Sequence, residues 1–381
     1  MIIIPIYLLS LIYFGRKEPI TFCYSILSTV LLLILHSIFV LESDFGNISY
    51  FISDEQVYLG LDNVHQLSEG AKNDRWLWFF LTQLVSNTDP TGGLFSKLIS
   101  LPLIPMILFL FYRIVGDKLA LIVFFVMPYS LYIMQTALRD SFIVALALSF
   151  IFLSGKSIKK NVIYLIVLIA AIFLLRPFFV VLLILSSILS HYIVSLNYSS
   201  LAQKLITSSK YIVISLLTII IVYVLFKSKL DQYFRNITYF YEHGLLIDSE
   251  KTAIQPSLSF DYFSYSIIRY IFTPFPSSLI ERILSSNVTQ FGYLDDLVRV
   301  FNQTSLLFLL MYLIIKFKSV IFFLKQLPME PIKLTFIIFV FLNSILYSLY
   351  YAGGGHSRLK VFLFLGVFMI FVEVKKLNER K

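Results

Sequence analysis

The chain has 381 residues, of which 58% are hydrophobic and only 14% charged, and its mean hydropathy is +0.85. Water-soluble domains carry about 25% charged residues, so the composition excludes a soluble globule and indicates a membrane protein. Thirty-one Lys and Arg against 22 Asp and Glu give a net charge of +9; in a membrane chain such an excess reports which connections face the cytoplasm, not a nucleic-acid partner.

The single cysteine, Cys23, excludes an intramolecular disulfide, and the five histidines show no HxH or HExxH spacing. No metal and no cofactor are expected.

A helix crosses the hydrocarbon core with about 20 apolar residues, or fewer where flanking groups snorkel or the bilayer thins. Apolar runs predict spans at 2–15, 20–41, 94–115, 119–136, 141–154, 162–175, 178–194, 211–226, 305–315 with its continuation, 334–352 and 361–372. The expected fold is all-α: a single polytopic transmembrane domain over 1–381 with about 11 transmembrane helices and two long outer loops containing amphipathic helices. The first run lacks a basic leader and an A-x-A cleavage site, so it is expected to stay as a span. Arg139-Asp140 and Arg176-Pro177 each mark a tight turn between two runs; a proline after the arginine stops one helix and suits the first turn of the next.

With the N-terminus outside and the C-terminus cytoplasmic, the inner connections hold 17 Lys and Arg against five Asp and Glu, and the outer ones carry a small net negative charge. Every short inner loop is basic, as the positive-inside rule requires. The first long outer loop, 42–75, is acidic and ends in Trp76-Leu77-Trp78, whose indoles suit the interfacial aromatic belt. The second, 227–304, is rich in Tyr and Phe. Within it, 257–272 and 288–301 have helical apolar spacing: Val288, Phe291, Leu294, Val298 and Phe301 share a face, with Asp295, Asp296 and Arg299 off it. These segments are expected to lie on the outer leaflet, to roof a cavity or to pack on the bundle.

The unusual charges collect on the outer side. They are Asp54 and Glu55 in the first loop, Arg139, Asp140 and Arg176 at tight turns, and His356, Arg358 and Lys360 after the triple glycine 353–355. Charges near membrane depth are costly and are paired or functional. Each has a plain alternative: Arg139 paired to Asp140, Arg176 snorkelling to headgroups, the acids solvated, the glycines a flexible turn. Basic turns converging on one face fit a bound anion, because a guanidinium matches phosphate oxygens. A phosphate whose tail lies in lipid, such as a polyprenyl phosphate or diphosphate carrying sugar, is the natural ligand. Arg139, Arg176 and Arg358 would neutralise the leaving phosphate of a glycosyl transfer, with His356 and Lys360 beside them. Asp54 or Glu55, and less readily Asp140, would take the proton from the attacking hydroxyl.

The acidic stretch Ser53-Asp54-Glu55-Gln56-Val57-Tyr58, then Leu138-Arg139-Asp140-Ser141, Leu175-Arg176-Pro177, Pro274-Phe275-Pro276 and Ser357-Arg358 in order, resemble the Wzy and EpsG-like polysaccharide polymerases, which are polytopic glycosyltransferases of GT-C type. The resemblance implies a bacterial inner-membrane protein joining undecaprenyl-diphosphate-linked repeat units at the periplasmic face, in O-antigen, capsule or exopolysaccharide synthesis. It further implies a flippase and a chain-length regulator as partners, with no nucleic acid. Two rival readings remain: a GT-C transferase adding one sugar from a polyprenyl-phosphate donor, and a flippase for lipid-linked oligosaccharide.

Overall fold

The structure, a computed structural model, describes residues 2–45, 49–50, 59, 76–89, 91, 95–156, 158–198, 227, 231, 260–287, 292–350 and 360–379. Among them every regular element is helical. Five helices are long and apolar enough to cross a membrane: Pro19–Asp44, Ser96–Val115, Pro177–Leu196, Gly292–Ile315 and Pro331–Ser348. A sixth is added if the pair Lys118–Val126 and Tyr129–Gln135, bent by 77°, counts as one broken span. The chain is thus a helical membrane protein.

Local sequence explains where each helix starts and stops. α1 (Ile3–Lys17) ends at Glu18, whose extended backbone turns the chain into α2 (Pro19–Asp44) with a proline in its first turn. α3 (Trp76–Ser86) follows. α4 (Leu103–Val115) stops at Gly116, φ 73°, whose N–H donates to the Tyr112 carbonyl at 2.7 Å; a left-handed residue here ends the helix while satisfying an orphan carbonyl. The broken segment comes next. Then α5 (Asp140–Lys156), α6 (Ile158–Leu175) and α7 (Pro177–Tyr198) run back and forth, with Arg176 alone between the last two. After α8 (Phe260–Phe272) and α9 (Pro276–Leu284) come α10 (Gly292–Ile315), α11 (Phe317–Gln326), α12 (Pro331–Tyr350) and α13 (Val361–Glu379).

The core lies where α4, α5, α7, α12 and α13 meet. Phe111, Phe336 and Phe368 are fully buried, with Phe111 6.2 Å and 6.4 Å from the other two ring centroids. Phe179, Phe339 and Phe362 form a second group, at 4.9–5.9 Å. Lipid gives no hydrophobic drive for helices to associate, so close packing must supply it. Gly155 lets α5 approach α12 so closely that an added Cβ would stand 2.6 Å from Ile332 Cγ1 and 2.8 Å from its Cα. At the same lysine-rich end, Arg113 pairs with Glu18 at 3.0 Å, and Lys333 bridges Glu330 and Glu373 at 2.6 and 2.7 Å. Apolar side chains on the outside of α1, α2, α6 and α10, such as Leu9, Ile163 and Ile314, are exposed as a lipid-facing surface would be.

Three sequence expectations change. The run 119–136 is not one straight helix but the broken segment, buried along most of its length. The runs 288–301 and 305–315 are not a surface helix followed by a span: α10 is continuous over 24 residues, its charged residues Asp295 and Asp296 fully buried and Leu297 and Phe301 turned outward. Leu294 and Val298 of the expected apolar face are buried beside them, as packing on the bundle requires. Trp78 does not sit in an interfacial belt either; it is fully buried, donates from Nε1 to the Ala137 carbonyl at 3.2 Å and meets Phe142 edge-on at 5.0 Å. The run 211–226, most of the loop 42–75, and 227–259 apart from Lys227 and Asp231 lie outside the described residues.

Gly155→Ala is expected to cost about 1–3 kcal/mol, the range for overpacking a tight interface, because backbone as well as side chain of Ile332 must move. Thermal unfolding of the purified protein in detergent reads this; an unchanged midpoint would mean that α5 and α12 do not pack at this distance.

Candidate functional site

The end of the bundle opposite Arg113 and Lys333 gathers charged side chains from elements far apart in sequence. Arg139 leads into α5 and donates from Nη1 to the Leu175 carbonyl at 2.5 Å, at the last residue of α6. A cation is well placed against the orphan carbonyls of a helix C-terminus. Asp140, the first residue of α5, is paired with the next turn along: Arg176 Nη1 lies 3.4 Å from its Oδ1, both side chains 13% exposed. The same Nη1 donates to the Tyr347 hydroxyl of α12 at 2.6 Å, and the guanidinium lies 5.6 and 5.7 Å from the rings of Phe178 and Phe179. Thus three of the sequence candidates, Arg139, Asp140 and Arg176, come together. Asp140 is occupied by Arg176 rather than by its neighbour Arg139.

Lys360 is placed elsewhere at this end. It is fully buried just before α13, its Nζ donates to the Thr273 carbonyl at the end of α8, and the Tyr270 ring centroid is 5.4 Å away. Burial, and then the charges of Arg299 and Arg269, bring its pKa down to about 7. Burial likewise pushes the Tyr270 phenol above the ordinary tyrosine range. Asp54, Glu55, His356 and Arg358 lie outside the described residues.

A further set of charges was not singled out from the sequence. Asp295 Oδ2 pairs with Arg299 Nε at 2.8 Å, one helical turn on, and Arg299 stacks over the Tyr129 ring at 5.3 Å. Asp296 holds Arg282 of α9 at 3.3 Å. Glu42, at the end of α2, accepts from the Tyr293 N–H at 2.9 Å and the Leu294 N–H at 3.3 Å, so a carboxylate closes the N-terminus of α10. Lys97 is buried, donating to the Tyr50 carbonyl at 2.5 Å and lying 4.4 Å from the Phe39 ring. The Asp295–Arg299 pair was visible as i,i+4 spacing; the others join segments more than ten residues apart and left no local signal.

In chemical terms this end offers guanidiniums oriented by carboxylates and tyrosines, close to an aromatic wall. Such a setting suits an anion bearing an apolar or sugar tail. Among the described residues no group of three or more His, Cys, Asp or Glu could hold a metal ion. Comparison with protein families, with curated proteins and with solved structures finds no match to this chain.

Asp140→Ala leaves Arg176 buried with only part of its partners, and breaking such a pair costs about 3–5 kcal/mol. Chemical denaturation in detergent is expected to show a loss of that order. Trp78→Phe removes one neutral hydrogen bond, leaves the Ala137 carbonyl without that donor and opens space beside Phe142, and is expected to cost about 1–3 kcal/mol. A loss below about 1 kcal/mol for Asp140→Ala would remove the argument that the Asp140–Arg176 pair organises this end.

Proposed function

We propose that this protein is a membrane-embedded glycosyltransferase that polymerises undecaprenyl-diphosphate-linked oligosaccharide units at the outer face of a bacterial inner membrane. The observation that carries the reading is the cluster of Arg139, Asp140, Arg176 and Tyr347, at the end of the bundle opposite Arg113 and Lys333. The finer topology of eleven spans, with the N-terminus outside and the C-terminus cytoplasmic, belongs to the same proposal, as do a flippase and a chain-length regulator as partners.

In the reaction proposed, a hydroxyl of the acceptor glycan attacks the anomeric carbon of the donor. The new carbon–oxygen bond forms as the bond to the diphosphate breaks, and the undecaprenyl diphosphate leaves with that electron pair. Arg139 and Arg176 neutralise the leaving group; fixed donors aimed at developing charge are the largest single contribution in such sites. A carboxylate accepts the hydroxyl proton. Asp54 and Glu55 are proposed for this, since Asp140 is committed to Arg176.

One feature favours a second reading, lipid-linked oligosaccharide transport: a helix broken by 77° at Met127–Pro128, since broken helices line substrate paths in transporters. Its bend is filled mainly by apolar side chains, Phe124, Met127 and Leu131 among the most buried, which is why polymerisation is preferred.

In the native host, Arg176→Gln and Arg139→Gln at normal protein level are expected to abolish the long-chain ladder while single repeat units remain on the surface. A full ladder in both variants would overturn the catalytic assignment. A full ladder with altered sugar composition after gene deletion would instead indicate a single-sugar transferase, and units trapped on the cytoplasmic side a flippase.

A further inference from the structure

α11 joins two helices that are each long enough to cross the membrane, α10 and α12. Its 10 residues extend about 15 Å, half of a hydrocarbon core of about 30 Å. It cannot return the chain to the other side, so Ile315 and Pro331 share one face of the membrane. That face is the lysine-rich end of the bundle: Ser319 Oγ donates to Asn378 Oδ1 near the end of α13 at 3.0 Å, and Lys333, just beyond α11, holds Glu330 and Glu373.

At 3.6 residues per turn, the side chains of α11 fall into separate strips. Ser319 and Phe323 are buried, on the side where Ser319 meets α13. Phe317, Ile321 and Leu324 form an apolar strip, and it is exposed. Lys318 and Lys325 stand beside that strip, exposed Phe322 is on their other flank, and Lys316 immediately precedes the helix. The apolar strip continues the lipid-facing surface of α10, where Met311, Ile314 and Ile315 are exposed.

The lysines of this strip differ from the other cations at the same end. Arg113 holds Glu18, Lys333 holds Glu330 and Glu373, and Lys375 holds Glu379 at 3.6 Å. Lys316, Lys318 and Lys325 are exposed, and none holds a carboxylate among the described residues. One placement satisfies both strips. The helix lies in the plane of the membrane surface, its apolar strip among acyl chains, while the ammonium groups reach the headgroups on their long apolar stems.

We propose that α11 is an interfacial anchor that takes acidic phospholipids, with Phe317, Ile321 and Leu324 among their acyl chains and Lys316, Lys318 and Lys325 on their negatively charged headgroups. Because no acid of the chain neutralises these ammonium groups, a lipid with net negative charge is favoured over a zwitterionic one. A soluble protein docking here would have to displace lipid from a surface that runs on without a break from α10. The proposal is independent of the glycosyl-transfer reading, which concerns the opposite end of the bundle.

The test uses the full-length protein in nanodiscs of phosphatidylcholine, with Cys23→Ser removing the native thiol and a bimane label on Ile321→Cys. Lipids brominated in their acyl chains quench a label that they touch. Phosphatidylglycerol is expected to be favoured over phosphatidylcholine at the label by about fivefold or more at low ionic strength, since one surface lysine has an effect of that order. The preference should fall toward parity in about 1 M salt, where the screening length is about 3 Å. Lys316→Gln, Lys318→Gln and Lys325→Gln together should abolish it, and Arg at the same three positions should keep it. If the Gln variant does not fold, the Arg variant and the salt series decide. Parity at low salt with the three lysines in place, or a preference that survives the Gln variant, overturns the assignment. Quenching by aqueous iodide but by neither lipid would mean that the strip is open to water and suited to a soluble partner, and overturns it as well.

Discussion

A charge withdrawn from water must be neutralised by the chain itself, and this requirement ties together the end of the bundle where the candidate site lies. Asp140 holds Arg176, Asp295 holds Arg299, Asp296 holds Arg282, and Glu42 closes the N-terminus of α10. Each contact except that within α10 joins different elements, so the ion pairs set how α2, α5, α7, α9 and α10 meet. Removing one partner from such a pair is more costly than never having had it. The charges are therefore structural first, and any ligand must be recognised by groups already oriented for another reason.

The apolar half of the structure works differently. Phe111, Phe336 and Phe368 are joined by shape alone, and Gly155 and Gly366 permit the close approaches that shape requires. An added Cβ on Gly366 would lie 2.7 Å from Val340 Cγ1, a contact with a side chain, while at Gly155 backbone stands in the way. Close packing through α4, α5, α12 and α13 gives a rigid centre, and the site is carried at the ends of these helices. Precision at the site then derives from the packing beneath it rather than from its loops.

Much of the fold was legible in the sequence, and the reasons differ by element. The turns at Glu18-Pro19, Gly116 and Arg176-Pro177 follow from residues with fixed backbone preferences, and they fall where the sequence places them. The meeting of Arg139, Asp140 and Arg176 was anticipated as a cluster, although not its pairing, because which carboxylate a guanidinium takes depends on a turn 36 residues away. The inward turn of α10 was not legible. Apolar spacing alone identifies a face but not what that face meets: Leu294 and Val298 are buried together with Asp295 and Asp296, whereas Phe301 of the same apolar face is exposed. Trp78 illustrates the same point: an indole near a helix start suits the interface, until a carbonyl such as that of Ala137 offers its N–H a partner inside.

A guanidinium carries five donors, so an arginine anchored by one carboxylate is oriented by it rather than used up. This distinguishes two kinds of positive charge in the molecule. In the proposed topology the lysines and arginines of the inner connections account for the net excess of +9 and fix the direction of insertion. Arg176, Arg282 and Arg299 at the other end are instead each held by an acid, so these pairs add nothing to the net charge of their side. Lys360 belongs to neither kind: it is buried against the Thr273 carbonyl and the Tyr270 ring, with no carboxylate paired to it among the described residues. Burial brings its pKa down to about 7, so the charge at this point changes near neutral pH, which that of a guanidinium does not.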